Sequence, residues 1–178
     1  RCPVENIAER TELVPYDEKY FIESIYSFKQ QIYIAGRANG LEQVFRIEND
    51  ELIPLAWDEP IYSVSIASNQ DYNADEVLVH YESFVTPKTT FGILLENGEK
   101  AKIQQAEVTG DYDAKNYVQE QLWATAPDGV NVPVLLQYHK DAFTSGPAPV
   151  ILTAYGSYGY SSDPFFSAYR LPLLDKGI

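Results

Sequence analysis

FIESIYSFKQQIYIAGRANGLEQVFRIENDELIPLAW, residues 21–57, is the stretch that decides the fold class. Apolar and polar residues alternate within four short segments, which is the period of a β-strand with one buried face. Asn39-Gly40 and Asn49-Asp50 separate the last three segments. Asn-Gly is a strong hairpin signal, because both residues tolerate the positive φ of a type I′ turn. The stretch therefore predicts an antiparallel meander of four strands.

The same pattern continues over the next fifty residues. Further strands are predicted at IYSVSIA (61–67), EVLVHYES (76–83), TFGILLE (90–96) and KAKIQQA (100–106), and Asn97-Gly98 marks another hairpin. Four-stranded meanders of this length are typical of β-propeller blades, although a β-sandwich produces similar local signals. No clear internal repeat is present, so the strand pattern alone leaves both architectures open.

The residue composition changes in EVTGDYDAKNY (107–117), which is polar and rich in turn-forming residues. We place a domain boundary here, with residues 1–111 in the β region and residues 112–178 in a second domain. Asp128-Gly129 then marks a hairpin, and GPAPVILTAYG (146–156) has the composition of a buried strand.

The end of the sequence predicts a short helix. Residues 170–176 suit a helix closed by Gly177, and Pro172 is acceptable there because it falls within the first turn. A hairpin, a buried strand, a loop and a helix together indicate the opening of an α/β domain.

Composition narrows the possible partners. Lys and Arg number 13 against 26 Asp and Glu, giving a net charge of −13, which excludes nucleic acid and anionic membrane surfaces as expected partners. Basic or neutral ligands fit this charge better. The single cysteine excludes an internal disulfide and favours a reducing compartment, so we expect a cytoplasmic protein, with the periplasm as the alternative. The absence of methionine leads us to expect a piece of a longer chain.

Metal and nucleotide sites are not expected. His80 and His139 lie on predicted strands with no carboxylate or cysteine at metal-ligand spacing, so ordinary structural roles are favoured. Gly156 and Gly159 do not complete a dinucleotide fingerprint, and no lysine follows to make a phosphate loop. The sequence therefore predicts neither a metal nor a cofactor.

One loop, ILTAYGSYGYSSDPFF (151–166), raises the question of a serine nucleophile. A nucleophile elbow reads G-x-S-x-G, and around Ser157 only Gly159 fits, because Tyr155 stands where the first glycine should be. The loop follows a predicted buried strand, which is where α/β folds bind ligands. From spacing alone, a turn glycine with aromatic packing is favoured over a binding site as the explanation of this loop.

Three segments in the same order resemble the prolyl oligopeptidase family of serine peptidases, and most closely its oligopeptidase B branch. The segments are LVHYESFVTPKTTF, EVTGDYDAKNYVQEQLWATAPDGVNVPVLLQYHK and AYGSYGYSSDPFFSAYRLPLLDKG. Members combine a seven-bladed β-propeller with an α/β-hydrolase domain. The resemblance implies a mostly β fragment: the last blades of a β-propeller followed by the first strands of an α/β-hydrolase domain.

The resemblance also assigns roles within the loop. Tyr155 matches a tyrosine whose hydroxyl donates to the oxyanion of the tetrahedral intermediate, and Tyr158 matches an aromatic residue of the substrate pocket. Ser157 is then an ordinary loop residue. Ala154 replaces a glycine of the family motif, which strains the turn only if that position requires positive φ. The family's Ser, Asp and His lie beyond this loop in the chain, so the fragment alone is expected to be inactive.

The function implied is serine endopeptidase activity on short, basic peptides, with cleavage after Lys or Arg and no cofactor. One alternative is a prolyl oligopeptidase proper, which cleaves after proline and shares the loop. Another is a non-catalytic β-propeller that binds or scaffolds partners and whose second domain has lost its triad.

Overall fold

The computed structural model describes residues 2–142 and 146–178, and they form three antiparallel sheets. The first sheet contains β1 (Phe21–Ser27), β2 (Ile32–Ala38), β3 (Leu41–Glu48) and β4 (Glu51–Pro54). The second contains β5 (Ser63–Ile66), β6 (Glu76–Glu82), β7 (Thr89–Leu94) and β8 (Lys100–Gln105). Strands adjacent in the chain are adjacent in both sheets, so each is a four-stranded meander, as predicted.

Two of the hairpins close through type I′ turns. Asn39 and Gly40 have φ of 53° and 82°, and Asn49 and Asp50 have φ of 51° and 63°. Positive φ at both central residues matches the right-handed twist of the flanking strands. The tight turns predicted from residues 39–40 and 49–50 are therefore confirmed.

The hairpin at Asn97-Gly98 forms with a longer turn. Only Gly98 has positive φ, at 75°, and its N–H donates to the Leu94 carbonyl at 2.8 Å. Leu95 is buried, and its N–H donates to the Asp75 carbonyl at 2.9 Å. Because the core and this hydrogen bond hold Leu95, the chain reverses over four residues instead of two.

The two meanders share one apolar core. Its buried members come from both sheets: Phe28, Tyr33, Val44, Leu55, Tyr62, Val64, Val77, Val79, Tyr81, Ile93 and Leu95. Strand β3 of the first meander contacts β5 of the second. Burial of large side chains between two sheets supplies the main stabilising term, at roughly 25 cal/mol per Å² of apolar surface removed from water. This face-to-face packing of meanders is how successive propeller blades associate.

A third, two-stranded sheet follows, made of β9 (Tyr117–Thr125) and β10 (Asn131–His139). It pairs with neither meander. Its turn contains Gly129 with φ of 87°, which confirms the hairpin predicted around Asp128-Gly129. The sheet contacts the meanders through glutamines: Gln121 Nε2 donates to the Asn39 carbonyl at 2.8 Å and Gln137 Nε2 to the Phe84 carbonyl at 2.9 Å.

The buried strand predicted for residues 146–156 is not formed. These residues have no regular secondary structure, and Val150 and Leu152 are 72% and 82% exposed. A strand needs a hydrogen-bonded neighbour, and among the described residues no other strand lies beside this segment. The composition of 146–156 indicates a strand, but this part of the chain lacks the sheet that would complete it.

The predicted terminal helix is confirmed as α1 (Leu171–Leu174). Pro172 falls in its first turn, where a missing N–H breaks no hydrogen bond. Gly177 has φ of 77°, and the Ile178 N–H donates to the Leu173 carbonyl at 3.1 Å. This bond closes the helix with a glycine cap of the Schellman type.

Candidate functional site

We define residues 151–162 as the tyrosine loop. The Tyr160 N–H donates to the Ser157 carbonyl at 3.1 Å, which closes a turn with Tyr158 and Gly159 at its centre. Their φ values are 59° and 65°, so the turn is of type I′. Positive φ is uncommon for an aromatic residue and directs the Tyr158 side chain outward, where it is 98% exposed.

Tyr155 is held differently from Tyr158. Its ring packs edge-on against Tyr160, with 5.7 Å between ring centroids, and it is 54% exposed. Within residues 2–142 and 146–178, no hydrogen bond engages its hydroxyl. The phenol is therefore a donor with an open partner position. Ala154 is not among the residues with positive φ, so its methyl group causes no backbone strain.

The segment that follows the loop is fixed to the first meander by an ion pair. Arg37, near the end of β2, donates from Nη1 to Asp163 Oδ2 at 3.2 Å and from Nη2 to Asp163 Oδ1. The pair is bidentate and mostly buried, and its hydrogen bonds raise the pKa of the Arg37 guanidinium. The next residue, Pro164, is fully buried. Asp163 and Pro164 thus fix the end of the tyrosine loop.

The second meander holds the same segment a few residues further on. The Phe166 N–H donates to Glu82 Oε2 at 3.2 Å. The Arg170 guanidinium stacks on the Phe165 ring at 4.1 Å and lies 5.5 Å from the Phe84 ring. Residues 163–170 therefore rest on both meanders.

Strand β9 is connected to the helix and to the meanders. The Tyr117 hydroxyl donates to Asp175 Oδ1 at 2.7 Å, and burial together with this carboxylate raises the pKa of Tyr117 to about 12. At the other side, Gln119 Nε2 donates to Glu59 Oε2 at 2.8 Å, and the Thr86 hydroxyl donates to Glu59 Oε1. Glu59 thus joins the second meander to β9.

The arrangement can position a phenol donor, but it holds no activated nucleophile among the described residues. His80 Nδ1 lies 3.2 Å from Thr90 Oγ1, and His139 Nδ1 lies 3.8 Å from Asp141 Oδ2. Neither ring bonds a serine hydroxyl, so in this part of the chain Ser157 has no general base. The geometry agrees with reading Ser157 as a loop residue.

Neither a metal cluster nor a long apolar helix is found in the part of the chain that the structure describes. No group of three or more His, Cys, Asp and Glu side chains is close enough there to hold a metal ion. No helix among these residues is long and apolar enough to cross a membrane.

Sequence reasoning missed the residues that support the loop. Arg37 and Asp163 are 126 positions apart, and Glu59 and Gln119 are 60 apart. A single sequence contains no signal that pairs such distant polar residues.

The match to known families covers most of the chain. Residues 1–106 match the model of the N-terminal β-propeller domain of prolyl oligopeptidase. The solved structure of oligopeptidase B from Trypanosoma brucei with covalently bound antipain, in a closed form, is 31% identical, with a TM-score of 0.81 over 92% of this chain and 24% of that one. Oligopeptidase B from Leishmania major is 34% identical, with a TM-score of 0.80 over 90% of this chain and 24% of its own.

Two curated relatives are similar along nearly the whole sequence. Protease 2 of Moraxella lacunata is 49% identical over 178 residues, which is 100% of this chain and 26% of the relative. Dipeptidyl aminopeptidase BI of Pseudoxanthomonas mexicana is 39% identical over 93% of this chain and 23% of its own length. The chain thus spans about a quarter of the length of these relatives. With two packed propeller blades and these matches, the chain belongs to the prolyl oligopeptidase family.

Proposed function

We propose that the complete protein containing this chain is a serine endopeptidase that hydrolyses short peptides after Lys or Arg through an acyl-enzyme. The similarity to Protease 2 along all 178 residues, which includes the tyrosine loop, is the observation that carries this proposal. The net charge of −13 favours basic peptides over acidic ones as partners.

In this mechanism Tyr155 supplies part of the oxyanion hole. Its hydroxyl is unengaged among the described residues, so it is available to donate to the negative charge that develops on the scissile carbonyl oxygen. A preorganised donor of this kind lowers the barrier by about 3–4 kcal/mol. Tyr158, exposed on the same turn, forms part of the pocket wall that contacts the substrate.

We further propose that residues 112–178 begin an α/β-hydrolase domain. The separate sheet of β9 and β10 supports this assignment, because it pairs with neither blade. The sequence of 146–156 supports it as well, since its apolar run suits a central strand once neighbouring strands are present. The Ser, Asp and His of the triad belong to the rest of that domain.

The test uses the complete protein. A fluorophosphonate probe should label it at one serine outside residues 1–178, and it should hydrolyse arginyl and lysyl amides faster than prolyl ones. A preference for prolyl amides would contradict cleavage after Lys or Arg and would indicate cleavage after proline instead. A properly folded protein without labelling or turnover would favour the non-catalytic propeller.

A further inference from the structure

The tyrosine loop has little support of its own. Its single backbone hydrogen bond is the Tyr160–Ser157 turn, and among the described residues no hydrogen bond joins residues 151–162 to either blade. Tyr155 and Tyr158 are both exposed. The position of the loop relative to the blades is therefore set at its ends, and Asp163 is the first residue after it that a blade side chain holds.

Arg37 is well suited to hold Asp163. Its Nη1 and Nη2 each donate to one carboxylate oxygen of Asp163, and Nη2 also donates to the Gly40 carbonyl at 3.4 Å. Gly40 belongs to the type I′ turn of the first blade, so the guanidinium also contacts that hairpin. A planar bidentate pair fixes orientation as well as distance.

The surroundings make Arg37 difficult to replace. Glu42 and Glu23 both act electrostatically on Arg37, and Asp163 acts on Glu42. Without the guanidinium, Asp163 and Glu42 would repel each other with no positive partner between them. Loss of Arg37 would therefore convert an attraction into a repulsion that pushes Asp163 away from the first blade.

We propose that Arg37 is a positioning residue. By binding Asp163 it fixes the tyrosine loop relative to the blades, and so it orients the Tyr155 hydroxyl toward the reacting carbonyl. This inference rests on the proposed function of Tyr155. Asp163 lies eight positions after Tyr155 in the chain. Through Asp163, a side chain of the propeller becomes a determinant of peptide hydrolysis.

The test compares Arg37→Met with Arg46→Met in the complete enzyme. Arg46 is a matched control, because it is also a half-buried β-strand arginine but pairs with Glu48 of its own strand, at 2.7 Å. Hydrogen exchange of residues 151–162 should rise in Arg37→Met and stay unchanged in Arg46→Met. On an arginyl amide, kcat should fall on the order of 10- to 100-fold in Arg37→Met with little change in KM, because a misaimed donor weakens only the transition state.

Two further variants separate positioning from a general structural effect. Asp163→Asn weakens the same pair from the loop side while keeping the side-chain shape, because it removes the charge and one of the two acceptors. It should shift loop exchange and kcat in the same direction, and it serves as the test if Arg37→Met folds poorly. In a Tyr155→Phe background, Arg37→Met should cost little additional kcat, because the donor it aims is already gone. An equal loss in both backgrounds would overturn the proposal.

The two readouts distinguish this inference from the proposed function. Unchanged loop exchange in Arg37→Met and Asp163→Asn, with wild-type kcat, would overturn the positioning role and leave the peptidase standing. Raised loop exchange in Arg37→Met and Asp163→Asn, together with a wild-type protein that cleaves no peptide, would support the hold on the loop and remove the peptidase function.

Discussion

At the scale of single residues, Tyr155 combines a ring packed against Tyr160 with a hydroxyl that has no hydrogen-bond partner among the described residues. Changing Tyr155→Phe removes one hydrogen-bond donor and keeps the ring contact with Tyr160, so folding should survive. We expect kcat of the complete enzyme to fall on the order of 10²- to 10³-fold with little change in KM, since the bond strengthens as charge develops. Steady-state kinetics on one basic peptide amide measures this.

Tyr158→Phe is the matched comparison on the same loop. An aromatic residue in a pocket wall keeps most of its apolar contact without the hydroxyl. The fall in kcat should therefore be smaller for Tyr158→Phe than for Tyr155→Phe. Wild-type kcat in Tyr155→Phe would remove Tyr155 from the mechanism, and a larger loss for Tyr158→Phe would reverse the two roles.

Glu42 should make folding depend on pH. Burial raises the pKa of Glu42 above its ordinary value of 4.5, although the Ser63 hydroxyl donates to it. The folded state therefore binds the proton more tightly than the unfolded state. The stabilisation that comes from this proton is fully present below pH 4.5 and is lost as the pH rises through the folded pKa.

Glu42→Gln removes this charge while keeping an oxygen that can accept from Ser63. The variant should unfold at higher urea concentration than the wild type at pH 7, and the difference should shrink as the pH falls toward 4.5. A wild-type protein that is more stable than Glu42→Gln at pH 7 would show that Arg37 outweighs the burial of Glu42.

At the scale of elements, neighbouring residues of β7 should differ sharply in their contribution to stability. Ile93 is fully buried between the blades, whereas Leu94 points the other way and is 40% exposed. In the 178-residue chain, Ile93→Ala should lower the free energy of unfolding by about 2–5 kcal/mol. Leu94→Ala should cost roughly 0.5 kcal/mol or less. Equal losses in urea unfolding would contradict the shared core.

Elements that close locally could be predicted from the sequence. Strands β1 to β8 and their hairpins depend on alternation and on turn residues such as Asn39-Gly40, which lie within a few positions of what they control. The turn at Asn97-Gly98 was longer than the dipeptide suggested, because Leu95 is held by the core and by Asp75. Residues 146–156 were predicted wrongly as a formed strand, because a strand depends on neighbours that local composition does not reveal.

In the candidate site, too, some residues could be identified from the sequence and others could not. Resemblance drew attention to Tyr155 and Tyr158, and their roles remain predictions. The ion pair between Arg37 and Asp163 was not predicted, because these residues lie 126 positions apart in the sequence and only the fold brings them together.

At the scale of the whole molecule, two kinds of contact hold the chain together. The blades share an apolar core, whereas the β9–β10 sheet meets them through hydrogen bonds of Gln119, Gln121 and Gln137. Strand β1 leaves Phe21 and Ile25 more than half exposed at an edge that pairs with no other strand of the described residues. Exposed apolar edges favour association. We therefore expect the purified 178-residue chain to self-associate, and light scattering against the complete protein would show this.

The same chain should have no peptidase activity when purified alone. A phenol donor accelerates acyl transfer only when a nucleophile and its base are present, and in residues 2–142 and 146–178 neither histidine bonds a serine hydroxyl. We expect no hydrolysis of an arginyl amide above buffer and no fluorophosphonate labelling, under conditions where the complete enzyme shows both. Denatured complete enzyme is the control for non-specific labelling. Turnover by the isolated chain would mean that it contains a nucleophile of its own, with Ser157 as the first residue to replace by alanine.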